Sequence, residues 1–127
     1  MKKLVVDTDI IIDYLRQINQ ETLLKGFLQN KNLKIYIAAI AITELWKGDN
    51  ITKLQEKNQV EGLLSKLKII IADKKISQKA GEILRKYHHL MLADALVAAT
   101  AIVENAELVT FNKKHFNKVE KMKLYNF

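Results

Sequence analysis

The chain has 127 residues, 49% apolar and 28% charged, with a formal charge of +7 and neither cysteine nor proline. That suffices for one globular domain over residues 1–127, and it excludes disulfides, thiolate metal sites and a thiol nucleophile. The charge comes almost wholly from lysine and favours an anionic partner, although a lysine-rich surface would account for it equally well.

In chain order, Lys3-Leu-Val-Val-Asp7 reads as a short apolar strand ending at an acidic turn, and Thr8 to Leu15 as a helix. A helix over Glu21 to Asn30 carries Leu23, Leu24, Phe27 and Leu28 at helical spacing, and Lys34 to Ala38 is a second strand. Ile40 to Lys47 predicts a short helix stopped at Gly48, and Thr52 to Leu67 an amphipathic one leading into a third strand, Lys68 to Ala72. Ser77 can cap a helix running to about His89, and Ala93 to Asn105 forms a helix so rich in Ala, Leu, Val and Ile that it must be buried. Glu107 to Thr110 gives a fourth strand, Lys113 to Phe116 a helical turn, and Met122 to Tyr125 a possible fifth strand. This alternation predicts an α/β fold, a three-layer α/β/α sandwich around a mainly parallel sheet of four to five strands. No stretch approaches the ~20 apolar residues of a membrane helix. Met1-Lys2-Lys3 meets Asp7, Asp9 and Asp13 too soon to begin an export signal, so a cytoplasmic protein is expected.

Ligands of an open parallel sheet bind beyond the carboxyl ends of its strands, which sorts the acids. Asp7 stands where the first strand ends, followed by Thr8, whose hydroxyl can bond a carboxylate or a metal-bound water; either residue also suits the cap of the next helix. Glu44 lies in the otherwise apolar Ile40-Ala-Ile-Thr-Glu-Leu-Trp46, where a charge needs a wet cleft or a partner. Lys47 is the basic residue within one turn, and such a pair is worth only a few tenths of a kcal/mol. Asp94 opens the most apolar helix, where it also complements the helix dipole by up to ~1 kcal/mol. Three carboxylates brought together repel unless a cation neutralises them, and Mg²⁺ or Mn²⁺ is the natural one. Such a site suits phosphodiester hydrolysis.

Leu4-Val-Val-Asp-Thr-Asp-Ile-Ile-Ile-Asp13, Thr43-Glu-Leu45, Ala93-Asp-Ala-Leu-Val-Ala-Ala-Thr-Ala101 and Leu108-Val-Thr-Phe-Asn112 resemble, in order, the motifs of PIN-domain ribonucleases of the VapC-type toxins. The similarity spans essentially the whole chain. It implies a three-layer α/β/α, Mg²⁺- or Mn²⁺-dependent endoribonuclease in which Asp7, Glu44 and Asp94 match the metal-binding acids and Thr8 the small hydroxyl position. It also implies an RNA substrate, a small antitoxin partner covering an apolar groove between helices, and a homodimer. An RNA-processing nuclease without an antitoxin, or a weak PIN-like binding module, are the related alternatives. Asn112 falls where many members carry a fourth acid, which puts a second metal in doubt; Asn112 and Thr110 can still orient water. Asp9 stands where members often have Asn or Ser and adds negative charge beside the site, whereas Asp13 suits a solvated helix face. Five lysines against one acid between Lys113 and Lys123, among them Lys113, Lys114 and Lys118, can track RNA phosphates. His88, His89 and His115 share no metal-ligand spacing and are expected to be structural or surface residues. Asp7-Thr-Asp9 also approximates the nucleophile motif of haloacid-dehalogenase-like phosphatases, but the downstream Gly-Asp motif of that class is missing, as is any Gly-rich phosphate loop.

Overall fold

The computed structural model describes residues 1–48, 51 and 53–127. The first apolar run becomes β1 (Lys2–Val6), whose Leu4, Val5 and Val6 are fully buried, as expected of a strand covered on both faces. It is flanked by β2 (Leu33–Ala38) and β4 (Glu107–Val109), and β3 (Lys68–Ile70) lies outside β2, so the sheet order is β3-β2-β1-β4. All three pairings are parallel, with Leu4 opposite Ile35 on one side and Glu107 on the other. Parallel neighbours require crossovers, and helices supply them: α1 (Thr8–Arg16), α2 (Leu23–Gln29), α3 (Ala39–Trp46), α4 (Leu54–Leu64), α5 (Lys74–Lys86) and α6 (Leu92–Val103).

Successive strand residues face opposite sides, and the core divides accordingly. Val5, Tyr36, Ala38 and Leu108 pack with Ile76, Ala80 and Ile83 of α5 and the alanines of α6. Leu4, Val6, Ile37 and Val109 pack with Ile10, Ile11, Leu24, Leu45, Val60 and Leu63 from α1 to α4. The expected three layers are therefore present.

Several boundaries differ from expectation, each for a local reason. Asp73, not Ser77, caps α5: its carboxylate accepts from Ile76 N–H at 2.9 Å, and the buried series Ile76, Ala80, Ile83 begins before Ser77. Ser77 instead donates its hydroxyl to Ala72 O at 3.3 Å. α6 stops at Val103 because Asn105 takes a left-handed φ of 54°. Ala106 N–H then reaches Ala101 O at 2.9 Å and Asn105 N–H reaches Ile102 O at 3.1 Å, a Schellman closure that turns the chain into β4. The predicted fifth strand is reduced to a single parallel bridge between Leu124 and Leu108, with 2.8 Å bonds from Leu108 N to Lys123 O and from Tyr125 N to Leu108 O. The expected α4 start at Thr52 lies outside the described residues. The short helix α7 (Lys113–Phe116) follows β4 as predicted.

Candidate active site

The carboxyl ends of β1 and β4 lie side by side, and their ladder continues one bond further through Asp7 N–H to Val109 O at 2.9 Å. This fixes Asp7 as the N-cap of α1, with Oδ1 accepting from Thr8 N–H at 2.8 Å. The fully buried Thr110 lies just beyond β4, and its hydroxyl donates to Asp7 Oδ2 at 2.9 Å and lies 3.3 Å from Asp9 Oδ2. Phe111 N–H also donates to Asp9 Oδ2, at 3.1 Å, and Asn112 N–H donates to Thr110 Oγ1 at 3.0 Å. Two carboxylates on α1's first turn are thus tied to the turn after β4 by neutral donors only.

The electrostatic consequence is strong. Burial first, and the neighbouring Asp9 second, push the Asp7 carboxyl up to about 6, with Asp94 adding to the rise against the lowering bonds from Thr110 and Thr8. Burial also raises Asp9, and its Oδ1 is buried without a hydrogen-bond partner. An unpaired buried carboxylate oxygen among acids is the environment a hard cation relieves, because such ions take carboxylate oxygens and leave none orphaned. The Asp7 and Asp9 oxygens therefore suit a divalent cation, although among the described residues no group of three or more acids or histidines is gathered closely enough to hold one.

Asp94 lies in the first turn of α6, where its Oδ2 accepts weakly from Met91 N–H at 3.3 Å. The same oxygen accepts from His115 Nε2 at 3.0 Å, and His115 is braced by His89, whose Nε2 donates to the His115 carbonyl at 2.9 Å. Glu44 is not part of this hydrogen-bonded group. It sits in a cleft between α1, α3 and α4 beside Ile12, Leu15 and Glu56, and its Oε2 is 2.8 Å from Lys47 Nζ. Of the two alternatives for Glu44, the lysine partner is present, and the cleft it faces is lined by neither Asp7 nor Asp94.

These motifs decide the family, since the PIN domain matches residues 4–122. The chain belongs to the PIN domain family. Among relatives of this PIN domain, "Ribonuclease VapC2" of Rickettsia felis is 36% identical over 103 residues, covering 76% of this chain and 77% of that protein. "Ribonuclease VapC10" of Mycobacterium tuberculosis is 29% identical over 126 residues, 94% of this chain and 90% of that one. A crystal structure of VapBC2 from Rickettsia felis, bound to a DNA fragment from its promoter, superposes with a TM-score of 0.86 at 28% identity, covering 98% of each chain. DNA-bound VapBC from Salmonella typhimurium shares the fold, with a TM-score of 0.85 at 21% identity and 98% coverage of each chain.

Within this PIN domain the sequence expectations divide. Asp7, Asp9 and Thr110 come together, with Asp94 near enough to add to the rise of Asp7, and Thr110 rather than Thr8 supplies the hydroxyl that bonds the carboxylates; Thr8 contributes its backbone N–H. Asn112 starts α7, and its side chain makes no capping bond. Lys114 and Lys118 are exposed beyond it, while Lys113 lies 4.0 Å over the Phe127 ring. His115 is the residue that sequence reasoning missed. Nothing in the spacing of the histidines points to it, and its only signal is a place one turn after Asn112 on a helix that starts beside the site.

Proposed function

We propose that this chain is an endoribonuclease of the cytoplasm, the toxin half of a toxin-antitoxin pair, and that Asp7, Asp94 and Glu44 hold the Mg²⁺ or Mn²⁺ it needs. The observation that carries the reading is the Asp7 corner: two partly buried acids where β1 gives way to α1, beside the end of β4, with Asp7 raised to about 6 and one Asp9 oxygen unpartnered. Such strain persists in a fold when it serves a ligand. Related chains are ribonucleases by name, and superposable chains come from VapBC complexes, which supports the substrate and the partner.

A bound cation of this kind neutralises phosphate charge and lowers the pKa of an attacking water. The chain's own residues do the rest. Thr110 orients Asp7 through Oδ2, and His115 orients Asp94 through its Oδ2. Asp9 contributes the free Oδ1, and Lys114 and Lys118 supply positive charge for the RNA backbone. Glu44 would complete the metal set, for which its i,i+3 pair with Lys47 would have to open. The apolar cleft beside Glu44, lined by Ile12, Leu15, Leu45 and Val60 and holding Glu56 with an unpartnered buried oxygen, suits an antitoxin segment that brings a basic side chain. Two copies of the chain form the working homodimer.

The test is cleavage of total cellular RNA by the purified, antitoxin-free chain in Mg²⁺, Mn²⁺ or EDTA. Cutting that needs metal and vanishes in Asp7→Asn is expected. A folded wild-type chain that cuts nothing under any of these conditions overturns the nuclease reading in favour of a PIN-like binding module.

A further inference from the structure

Four aromatic rings form a row from the core to the rim of the acidic site. Phe27, in the core, meets Tyr125 edge-on with ring centroids 5.2 Å apart; Tyr125 stacks on Phe127 at 6.0 Å; and Phe127 meets Phe111 edge-on at 5.9 Å. The first is buried, whereas Phe111 and Phe127 are each 50% exposed. Lys113 fastens the outer end, with its Nζ 4.0 Å from the Phe127 centroid and donating to the Phe127 carbonyl at 3.2 Å. Phe111 is held from its backbone, whose N–H donates to Asp9 Oδ2, between Thr110, whose hydroxyl donates to Asp7 Oδ2, and Asn112, whose N–H donates to that hydroxyl.

Packing does not explain this arrangement. Half-exposed phenylalanines at the edge of a carboxylate cluster do little for the core, and the hydrogen bonds that order the turn use only the backbone of Phe111 and the Thr110 hydroxyl, so any side chain at 111 would keep them. What the row does provide is a half-exposed aromatic surface tied through its own backbone to Asp9, with Lys113 at its outer end. A nucleotide whose phosphate is held by a cation at Asp7 and Asp9 can lay its base on Phe111, and stacking on a π-face then adds a hold that the carboxylates themselves do not supply.

We infer that Phe111, buttressed by Phe127 and Lys113, is a stacking platform for the nucleobase next to the bond that is cut, and so selects which phosphates the site accepts. The inference rests on the ribonuclease reading above. It requires that the nucleotide at this position be unpaired, because a base inside a duplex has no free face to offer.

The experiment uses the full chain and a short single-stranded oligoribonucleotide bearing a cleavage position mapped in total RNA. kcat/KM is measured for wild type, Phe111→Ala, Phe111→Leu and Phe111→Trp, and binding is followed by fluorescence anisotropy in the Asp7→Asn background, where no cutting confuses it. Phe111→Ala should lose about 5- to 100-fold in both readouts, the range seen when a stacking ring is truncated. Phe111→Trp should restore both, and Phe111→Leu should not. Wild-type rates in Phe111→Ala, or rescue by leucine as complete as by tryptophan, would overturn the platform while leaving the nuclease intact. So would an unchanged rate together with a loss of oligomer in size-exclusion chromatography, which would make the ring pair a contact between copies. A wild-type chain that neither cuts nor binds RNA would instead remove the ribonuclease reading itself, and the platform with it.

Discussion

Asp7 follows β1 directly and Glu44 lies on α3, the helix after the neighbouring β2, and their surroundings are opposite. Glu44 has a lysine at 2.8 Å and an open cleft, so its charge is answered within the chain. Asp7 has no cation at all among its causes of perturbation: burial and two other acids raise it, and only neutral donors oppose them. An acid with its own counter-ion is a finished structural element, whereas one held charged-side inward among like charges is waiting for a positive ligand. In the metal set proposed above, Asp7 is thus the acid without a counter-ion and Glu44 the one that has one.

The sharpest way to break that comparison is to neutralise each half in turn. Asp7→Asn should cost about a hundred-fold or more in RNA cleavage, since a metal's charge stabilisation amounts to several kcal/mol, while the fold survives because Asn caps α1 as well as Asp does. Asp94→Asn should behave alike. Circular dichroism beside a gel-based cleavage assay checks both, and full activity in both variants would dissolve the assignment. Glu44→Gln should cost less, about tenfold, because Glu44 enters the site only after releasing Lys47. If it costs nothing, the metal set is Asp7, Asp9 and Asp94 alone. Smaller again is His115→Ala, which removes a positioning residue: Mn²⁺ affinity measured by calorimetry should fall by roughly 10-fold, the lower end of what loss of an outer-shell partner costs. An unchanged affinity would mean that the His115 bond serves only to dock α7 on α6.

Much of this was legible in the chain itself, and the limits follow a physical pattern. Short β-branched runs ending in acids announce strands and their carboxyl ends, so the sheet, its helical layers and the positions of Asp7 and Asp94 could be read locally. The place of Asp9 beside the site could be read as well, but not its bonds to Thr110 and Phe111, about a hundred residues away, which only β1-β4 pairing brings near. His115 was hidden for the same reason. Local ambiguity explains the cap of α5, where Asp73 and Ser77 carry equally suitable side chains and the apolar phase of the helix decides between them. The fifth strand shrank to one bridge because Lys121, at a φ of 66°, and the turn around it leave too little extended chain beside β4.

The least effect, and the most discriminating for the contrast between the two acids, concerns pH in the absence of metal. A carboxyl whose folded pKa stands at about 6, above the unfolded 3.8, makes the folded state bind a proton that the unfolded state has already lost in that interval. The stability it contributes is present in full below pH 4 and disappears as the pH rises through 6, and Asp9, raised in the same direction, adds to the trend. In EDTA the melting temperature of the wild-type chain should therefore exceed that of Asp7→Asn by less, or fall further below it, at pH 7.5 than at pH 5, by a few degrees. Comparing the two proteins cancels the titrating groups remote from Asp7, which a single pH scan does not. Added Mg²⁺ should close the gap at pH 7.5 and do little at pH 5, where protons compete for the same oxygens. A gap of the same size at pH 5 and pH 7.5 would overturn the strain attributed to the β1-β4 corner.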